Sequence, residues 1–332
     1  MKSLLNEFRQ DLVSGDWVLF STKRADRPHK KIEKEEYYQP KEGCPFEDPA
    51  KAGHEVLWGY PASDEWRVMV IKNKFPAVKQ GLCEPGHQAG PFEVNEATGE
   101  HDVIVYKDHD LHFSDFSVEK AVDAVRVYKK RYQEMAKASE CVEYVAIFHN
   151  YGREAGANIY HPHSQIISMP ILPPDISRSL FGSFRFYKKN NKRVHDVLLE
   201  WELEQKKRLI YQNDMFIAFC PYVSKSPYEV RIFPRDSHAH FEKMPDEFDK
   251  YLADVLITVL AKIKKTLDDP PYNFFIHTAP AMENKLKGFH EFYSWHVEIL
   301  PKLSISAGFE LGTGVDINVV DPDQAAEELK KA

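Results

Sequence analysis

His161-Pro162-His163-Ser164-Gln165-Ile166-Ile167, near the middle of the chain, gives the clearest indication of how this protein folds and works. The two isoleucines at its end predict the start of a buried strand. Because side chains alternate along a strand, His161, His163 and Gln165 are expected to share one face. A neutral imidazole can attack phosphorus and a carboxamide can donate to phosphoryl oxygens, so this face is a candidate phosphate-handling surface. The same residues are also compatible with ordinary surface or metal-ligating histidines.

The composition favours a globular protein that binds neither nucleic acid nor membranes. The 332 residues are 43% hydrophobic and 13% aromatic, enough for a sizeable core in one large domain or two ordinary ones. The net charge is −7, with lysine and arginine scattered along the chain, which argues against a nucleic-acid surface. The longest apolar runs have the length of strands, and residues 1–7 become polar too early for a signal peptide.

The four cysteines, Cys44, Cys83, Cys141 and Cys220, lie far apart and show no spacing typical of a disulfide framework. This pattern favours a reducing compartment, and we expect a cytoplasmic protein. The segment Cys44-Pro45-Phe46-Glu47 has the spacing of half a zinc site, with glutamate in place of a second cysteine. Taken alone, a cysteine such as Cys44 is more often a partly buried thiol than a metal ligand.

A basic loop follows a predicted strand at residues 17–21. Such a loop is usually solvated surface. Arg27 directly precedes Pro28, whose ring restricts the local backbone, so Arg27 is a candidate phosphate or ribose contact.

One order of elements occurs twice along the chain: strand, histidine-containing loop, long helix, strand, loop and motif strand. The predicted elements of the first unit are strand 101–106, a helix capped by Ser117, and strand 142–149 before the motif. Those of the second are strand 228–233, a helix opened by Pro245, and strands 272–277 and 294–301. The repetition indicates an internal duplication, with halves at 1–170 and 171–332 and a helical middle in the connection 171–215.

The two copies differ where chemistry would take place. Aligning them places His163 against His296. Ser294 then falls at the first histidine of the motif, and Glu298 falls at its glutamine. Because only the first copy keeps both histidines and the amide, we expect it to carry the reaction and the second to serve mainly as scaffold.

Together these segments resemble the galactose-1-phosphate uridylyltransferase family, a branch of the histidine-triad superfamily. The resemblance extends over almost the whole chain. It rests on these motifs: Asp11-x-x-x-Gly15-x-Trp17-Val18, Arg24-x-x-Arg27-Pro28, Cys44-Pro45-Phe46, Asn73-Lys74-Phe75-Pro76, Asn150-x-Gly152, His161-Pro162-His163-x-Gln165 and Trp295-His296-x-Glu298. It implies an α+β fold of two tandem histidine-triad-like halves forming an antiparallel sheet flanked by helices, usually in a homodimer.

The resemblance also implies a reaction and its residues. His163 would be the nucleophile that forms a covalent nucleotidyl-histidine with a nucleoside diphosphate sugar, releasing a sugar 1-phosphate before an acceptor phosphate takes the nucleotidyl group. The resemblance implies a role in carbohydrate metabolism, which in this family is the metabolism of galactose. His161 and Gln165 complete the implied catalytic set. The implied substrate contacts are Asn150 on the diphosphate, amides of Gly156, Ala157 and Asn158 on developing charge, Glu310 on the hexose, and Arg27 and Asn73 on the nucleotide.

A zinc site is implied at Cys44, Glu47, His109 and His161, where Glu47 departs from the residue type of the family. A second site would need His277, His296, Glu298 and an upstream glutamate that the sequence does not identify, so only the first is predicted. Lys74 stands where uridylyl-specific members tend to carry aspartate, and Ser304 where some carry lysine near the sugar. The base and the sugar therefore stay open.

Two alternatives remain beside the transferase that uses a nucleoside diphosphate sugar and a sugar 1-phosphate. One is a phosphorylase or hydrolase of nucleoside diphosphate sugars, such as ADP-glucose, or of dinucleoside polyphosphates. Gln165 argues against simple hydrolysis, because the hydrolase branch carries a third histidine at this position. The other is a non-catalytic nucleotide-binding protein, which would have no need of the complete His161-x-His163-x-Gln165 motif.

Overall fold

The computed structural model describes residues 5–26, 37–84, 86–281 and 288–332. Within these ranges the chain forms an α+β fold. The strands are β1 Asn6–Gln10, β2 Trp17–Ser21, β3 Val56–Tyr60, β4 Val68–Lys72, β5 His87–Ala89, β6 Phe92–Val94, β7 His101–Tyr106, β8 Tyr144–Tyr151, β9 His163–Met169, β10 Leu209–Gln212, β11 Phe216–Phe219, β12 Val230–Pro234, β13 Tyr272–His277, β14 His296–Pro301 and β15 Asp316–Asn318. The α-helices are α1 Val118–Ala138, α2 Pro174–Asn190, α3 Val194–Gln205, α4 Asp249–Leu267, α5 Gly308–Thr313 and α6 Pro322–Lys331.

A large antiparallel sheet with the strand order β10-β11-β12-β14-β13-β8-β9-β7-β4-β3 organises the molecule. The two series β7-α1-β8-β9 and β12-α4-β13-β14 contribute its central strands in equivalent order. Strands β8 and β13 pair at the centre, with Asn150 opposite Asn273, so both series belong to one continuous sheet. The expected antiparallel sheet flanked by helices is confirmed.

Helices α1 and α4 pack together on one face of this sheet and bury its main core. Helix α1 begins where the sequence predicts, because the Ser117 hydroxyl accepts the Lys120 N–H at 3.4 Å and caps the first turn. Its apolar stripe buries Tyr128 and Tyr132 completely against the sheet. The helical face of the sheet is thereby closed, and the opposite face is left for the motif.

The expected alternation holds along β9 for His163 and Gln165, whereas His161, expected on the same face, lies outside the strand. Ser164 is fully buried on the α1 side, where it contacts Tyr128, whereas His163 and Gln165 are half-buried on the other face. His161 precedes the strand and is completely buried. The motif therefore presents one imidazole and one carboxamide from a rigid strand, with a second imidazole just before it.

A small sheet, β1-β2-β15, joins the two ends of the chain, since β15 pairs with β2 in parallel. Val18 and Phe20 of β2 point inward and are fully buried, while Phe8 and Trp17 share the outer face. Among the helices of the described ranges, none has both the length and the apolar character to cross a bilayer.

Two details were not anticipated from the sequence. An exposed hairpin, β5–β6, precedes β7. Cys83, just before this hairpin, is disulfide-bonded to Cys141, 58 residues later, whereas the sequence showed no disulfide pattern. Folding brings these cysteines together from distant segments, which sequence spacing cannot reveal. In the connection 171–215 the expected helix is present as α3, and α2 precedes it.

Candidate active site

His163 carries a defined tautomer. Its Nδ1 lies 2.9 Å from the backbone oxygen of His161. A carbonyl oxygen only accepts, so Nδ1 must bear the proton and Nε2 keeps its lone pair. Burial lowers the pKa of His163 below its ordinary value, which favours the neutral ring. The residue thus has the state that a nitrogen nucleophile needs.

Gln165 is held by a residue that the sequence did not single out. Its Oε1 lies 2.9 Å from Nε2 of His101, the first residue of β7. Asn73, an expected nucleotide contact, also packs on this ring, with its Nδ2 3.2 Å from His101 Nε2. The structure therefore brings Asn73 and Gln165 together through His101.

Ser164 anchors the motif strand from behind. Its hydroxyl forms a closed ring with the hydroxyls of Tyr106 and Tyr128, at oxygen–oxygen distances of 2.6–2.7 Å. Nδ1 of His149 lies 3.0 Å from the same serine oxygen. All four residues are buried, so the residue between His163 and Gln165 is tied to the core by polar contacts.

Asn150 is oriented by a residue of the second half. Asn273 Nδ2 donates to Asn150 Oδ1 at 2.8 Å and to the Ala155 carbonyl at 2.7 Å. Because Oδ1 of Asn150 accepts this hydrogen bond, its amide group remains as a donor. Sequence reasoning missed Asn273, because the register that places it opposite Asn150 is set only when β8 and β13 pair in the sheet.

The loop 152–158 needs two glycines. Gly152 has φ 85°, and a Cβ there would lie 2.7 Å from Cβ of Pro271. Gly156 has φ 89°, a left-handed conformation. The N–H groups of Gly156 and Ala157 donate to the carbonyls of Arg153 and Gly152 at 2.9 and 3.1 Å.

These loop amides include two of the expected substrate contacts. The N–H groups of Gly156 and Ala157, expected to stabilise charge on the substrate, donate to carbonyls of their own loop in this structure. Asn158, the third member of that set, accepts a hydrogen bond from Gln39 through its carbonyl at 3.2 Å.

Four side chains from three segments converge near the motif: Cys44, Glu47, His109 and His161. His161 Nε2 lies 2.6 Å from the Tyr106 carbonyl, and His109 Nε2 lies 2.7 Å from the Gln39 carbonyl. Each Nε2 must therefore carry a proton, so both Nδ1 atoms keep lone pairs when the two rings are neutral. These two Nδ1 atoms face each other at 3.2 Å. Two lone pairs at this distance repel unless a cation lies between them.

The spacing of Cys44, His109 and His161 fits a tetrahedral ion. Metal–nitrogen bonds of about 2.0–2.1 Å and a metal–sulfur bond of about 2.3 Å separate two nitrogens by about 3.3 Å and a nitrogen and a sulfur by about 3.6 Å. The Cys44 Sγ to His161 Nδ1 distance is 3.6 Å. Oε1 of Glu47 lies 2.8 Å from His109 Nδ1 and 3.4 Å from His161 Nδ1. Cys44, His109 and His161 thus form a group whose ligand atoms all lie within 4.8 Å of one another, and Glu47 contacts the two histidines of this group.

A second cluster in the other half consists of His277, His296 and Glu298. Here Oε1 of Glu298 lies 3.2 Å from His296 Nε2 and 3.1 Å from Nε of Arg231. Burial alone would raise the pKa of the Glu298 carboxyl, but neighbouring Arg231 holds it well below its usual range. A guanidinium already supplies positive charge at this oxygen, so the cluster differs from the first one.

Two expected contacts stand apart from this arrangement. Arg27 lies outside the described residues. Glu310 lies in α5, where its Oε2 accepts the Ala307 N–H at 3.1 Å. Within the ranges that the structure describes, no hydrogen bond or ion pair joins it to His163.

The chain is similar to known protein families and to individual proteins of known activity. Residues 2–173 match the family described as galactose-1-phosphate uridyl transferase, N-terminal domain, and residues 93–332 match a domain family of unknown function. The chain is 33% identical to ADP-glucose phosphorylase of Arabidopsis thaliana over 338 residues, covering 98% of this chain and 92% of that protein. It is 29% identical to galactose-1-phosphate uridylyltransferase of Thermotoga maritima over 335 residues, covering 98% of each.

A solved structure gives the same picture. The crystal structure of ADP-glucose phosphorylase from Arabidopsis thaliana with bound ADP-glucose superposes with a TM-score of 0.84 at 30% identity. The match covers 98% of this chain and 99% of that one. The similarity thus includes the whole large sheet and the motif it carries.

Proposed function

Since this chain belongs to the galactose-1-phosphate uridylyltransferase family, we propose that it transfers a nucleoside monophosphate between a nucleoside diphosphate sugar and a sugar 1-phosphate or phosphate. The observation that carries the proposal is the tautomer of His163, whose Nδ1 proton is engaged by the His161 carbonyl at 2.9 Å. A neutral imidazole with a free Nε2 lone pair suits attack on a phosphorus between anionic oxygens.

Two displacements complete the reaction. In the first, Nε2 of His163 bonds the α-phosphorus, the bond from that phosphorus to the bridging oxygen breaks, and its electron pair leaves with the sugar 1-phosphate. In the second, a phosphate oxygen of the acceptor bonds the same phosphorus and the phosphorus–nitrogen bond breaks. Its electron pair returns to Nε2. The His161 carbonyl stabilises the positive charge that the ring gains while Nε2 is bonded to phosphorus.

Two amides are proposed to stabilise the phosphoryl charge. Gln165 lies two residues after His163 on the same face of β9 and would donate to a non-bridging oxygen. Asn150, whose Oδ1 is engaged by Asn273 at 2.8 Å, would donate its amide hydrogens to the diphosphate. His161 contributes through its backbone oxygen and through its place in the cysteine–histidine cluster. We further propose that Asn73 and Arg27 contact the nucleotide and that Glu310 contacts the hexose.

We propose that the cluster of Cys44, Glu47, His109 and His161 binds zinc. Two unprotonated Nδ1 atoms 3.2 Å apart, a thiol and a carboxylate form a donor set suited to Zn²⁺. The ion would supply a structural link, fastening the segment 44–47 to the residue two positions before His163. No chemical step of the transfer requires it.

The acceptor separates the transferase from its main alternative. The 33% identity to ADP-glucose phosphorylase favours inorganic phosphate as a second candidate acceptor. Phosphate would convert the nucleotidyl-histidine to a nucleoside diphosphate, whereas a sugar 1-phosphate would convert it to a nucleoside diphosphate sugar. The product released from an isolated intermediate therefore identifies the reaction.

The experiment is intact-protein mass spectrometry after incubation with UDP-glucose, UDP-galactose, ADP-glucose and GDP-mannose in parallel. We expect an adduct with the mass of one nucleoside monophosphate, absent in His163→Asn. The adduct is then isolated and exposed separately to phosphate and to hexose 1-phosphates. Binding of these donors without any adduct would overturn the enzymatic proposal in favour of a non-catalytic nucleotide-binding protein.

The organisation of the chain is also proposed. Residues 1–170 would carry the chemistry, and 171–332 would act as scaffold and supply contacts on the sugar side.

Phe8 is 57% exposed and Trp17 47% exposed on one outer face, which supports a homodimer. Sedimentation of Phe8→Asp, expected to shift towards monomer, tests this. Nucleotide-sugar substrates favour the cytoplasm, although the Cys83–Cys141 bond weakens the argument from cysteines.

A further inference from the structure

His101 contacts the glutamine of the motif without belonging to the motif. It is the first residue of β7, and β7 pairs with β9 so that Val103 lies opposite Gln165 and His101 opposite Ile167. His101 and Gln165 are thus diagonal neighbours on the face that carries His163. Their side chains meet, with His101 Nε2 2.9 Å from Gln165 Oε1.

The backbone determines which His101 nitrogen carries the proton. The N–H of Ala77 donates to His101 Nδ1 at 3.1 Å. Because Nδ1 accepts, a neutral ring must carry its proton on Nε2. The two groups near Nε2 are Gln165 Oε1 and Asn73 Nδ2. Only Oε1 can accept, so His101 donates to Gln165.

This hydrogen bond determines the orientation of the carboxamide. With Oε1 engaged by His101, the NH₂ group of Gln165 is the end that remains for a substrate. A carboxamide that is free to rotate would also present Oε1, which repels the anionic oxygens of a phosphoryl group. The Gln165 amide group, which would donate to a phosphoryl oxygen, is therefore preorganised by a residue outside the motif.

The same ring connects Gln165 to the segment 73–77. Asn73 donates its backbone N–H to the His101 carbonyl at 3.0 Å, and Ala77 donates to the ring. The Asn73 amide is itself oriented, since its Oδ1 accepts the Phe75 N–H at 2.9 Å. His101 thus contacts both the loop that is expected to bind the nucleotide and the glutamine that is expected to donate to the phosphoryl oxygens.

We propose that His101 is a positioning residue that acts through Gln165 to hold its NH₂ group towards the phosphoryl oxygens of the donor. The proposal rests on the nucleotidyl-histidine mechanism given above. His101 itself touches no reacting atom. Its effect is on the rate of forming the covalent intermediate rather than on the affinity for the donor.

Two substitutions separate the two nitrogens of the ring. In His101→Asn the short amide can still accept from Ala77, in place of Nδ1, but cannot reach Gln165. In His101→Gln the longer amide can donate to Gln165 in place of Nε2. The concentration dependence of single-turnover adduct formation gives the maximal rate and the apparent donor affinity of each variant.

We expect His101→Asn to lower the maximal rate about 10- to 100-fold, part of the effect of deleting an oriented charge-stabilising donor. Its apparent donor affinity should change less than about threefold, and His101→Gln should retain a rate within about threefold of wild type. In a Gln165→Ala background, His101→Asn should cause no further loss, because His101 acts through that glutamine. A purely structural role would instead lower the rate again in this background.

The outcomes distinguish this inference from the proposed function. Absence of any adduct in the wild-type protein refutes the proposed mechanism and the role of His101 with it. A wild-type adduct that forms equally fast in His101→Asn refutes the role of His101 alone. Equal losses in the asparagine and glutamine variants, or additive losses with Gln165→Ala, also refute it. Thermal unfolding of each variant identifies any loss that results from misfolding.

Discussion

The hydroxyl ring beneath the motif strand predicts an order of stabilities for three single substitutions. Tyr106, Tyr128 and Ser164 each donate one hydrogen bond and accept one within the ring, and His149 Nδ1 donates to Ser164 as well. Removing either tyrosine hydroxyl leaves one buried donor without an acceptor, whichever direction the ring donates in. Removing the serine hydroxyl leaves two, one on a tyrosine and one on His149.

The expected magnitudes follow from this count. A buried donor left unpaired costs about 1–3 kcal/mol. We therefore expect Tyr106→Phe and Tyr128→Phe each to lower the free energy of unfolding by about 1–3 kcal/mol and Ser164→Ala to lower it by about 2–6 kcal/mol. The loss from Ser164→Ala is large relative to the stability of an ordinary domain.

The assay is equilibrium urea unfolding followed by tryptophan fluorescence and circular dichroism, with all variants compared at one metal content. Ser183→Ala is the matched control, because the buried Ser183 hydroxyl donates only to the Ser179 carbonyl of its own helix at 2.8 Å. Its removal leaves no donor unpaired, and we expect a loss below about 1 kcal/mol. A Ser164→Ala protein as stable as either phenylalanine variant would refute the closed ring.

Three further predictions concern the metal cluster, the second-half asparagine and acid stability. Elemental analysis should find zinc in the wild-type protein and little in Cys44→Ala; equal zinc in both would contradict Cys44 as a ligand. Asn273→Asp removes both N–H groups that donate to Asn150 and Ala155. Calorimetry should then show binding of the nucleoside diphosphate sugar weakened about tenfold, or about 1.4 kcal/mol. An unchanged affinity would argue against this role of Asn273. Burial holds the pKa of His149 well below its ordinary value, so the unfolded chain binds the proton more readily than the folded protein. The stability present above about pH 6.5 is therefore lost as the pH falls. The free energy of unfolding decreases by up to about 1.4 kcal/mol per pH unit. His149→Asn keeps a donor for Ser164 but cannot titrate, and urea midpoints at pH 7 and 5.5 should differ less in this variant than in wild type.

Local patterns in the sequence were sufficient for the elements and for the face on which the motif lies. The alternation along His161–Ile167 placed His163 and Gln165 together, because the side chains of a strand have a period of two whatever their surroundings. The start of α1 at Ser117 followed from a capping interaction within one turn. The two copies of the strand and helix order anticipated the equivalent central strands of the sheet.

The metal cluster was predictable only in part. The positions of Cys44, Glu47, His109 and His161 were available from the resemblance to the family. The protonation states of His109 and His161 were not available, because they depend on the carbonyls of Gln39 and Tyr106, which accept hydrogen bonds from these two histidines. No spacing rule relates an imidazole to a carbonyl about seventy or fifty-five residues away.

The sequence was therefore enough for the α+β fold and the family, and for proposing His163 as the nucleophile, since each depends on short-range periodicity or on short motifs. Only the tertiary structure revealed that His101 contacts Gln165, that Asn273 donates to Asn150, and that Gly156 donates its N–H within its own loop. A periodic pattern specifies which face a side chain occupies but not which neighbour it meets there. The neighbour depends on strand register and on the direction of each hydrogen bond, which are properties of the assembled sheet.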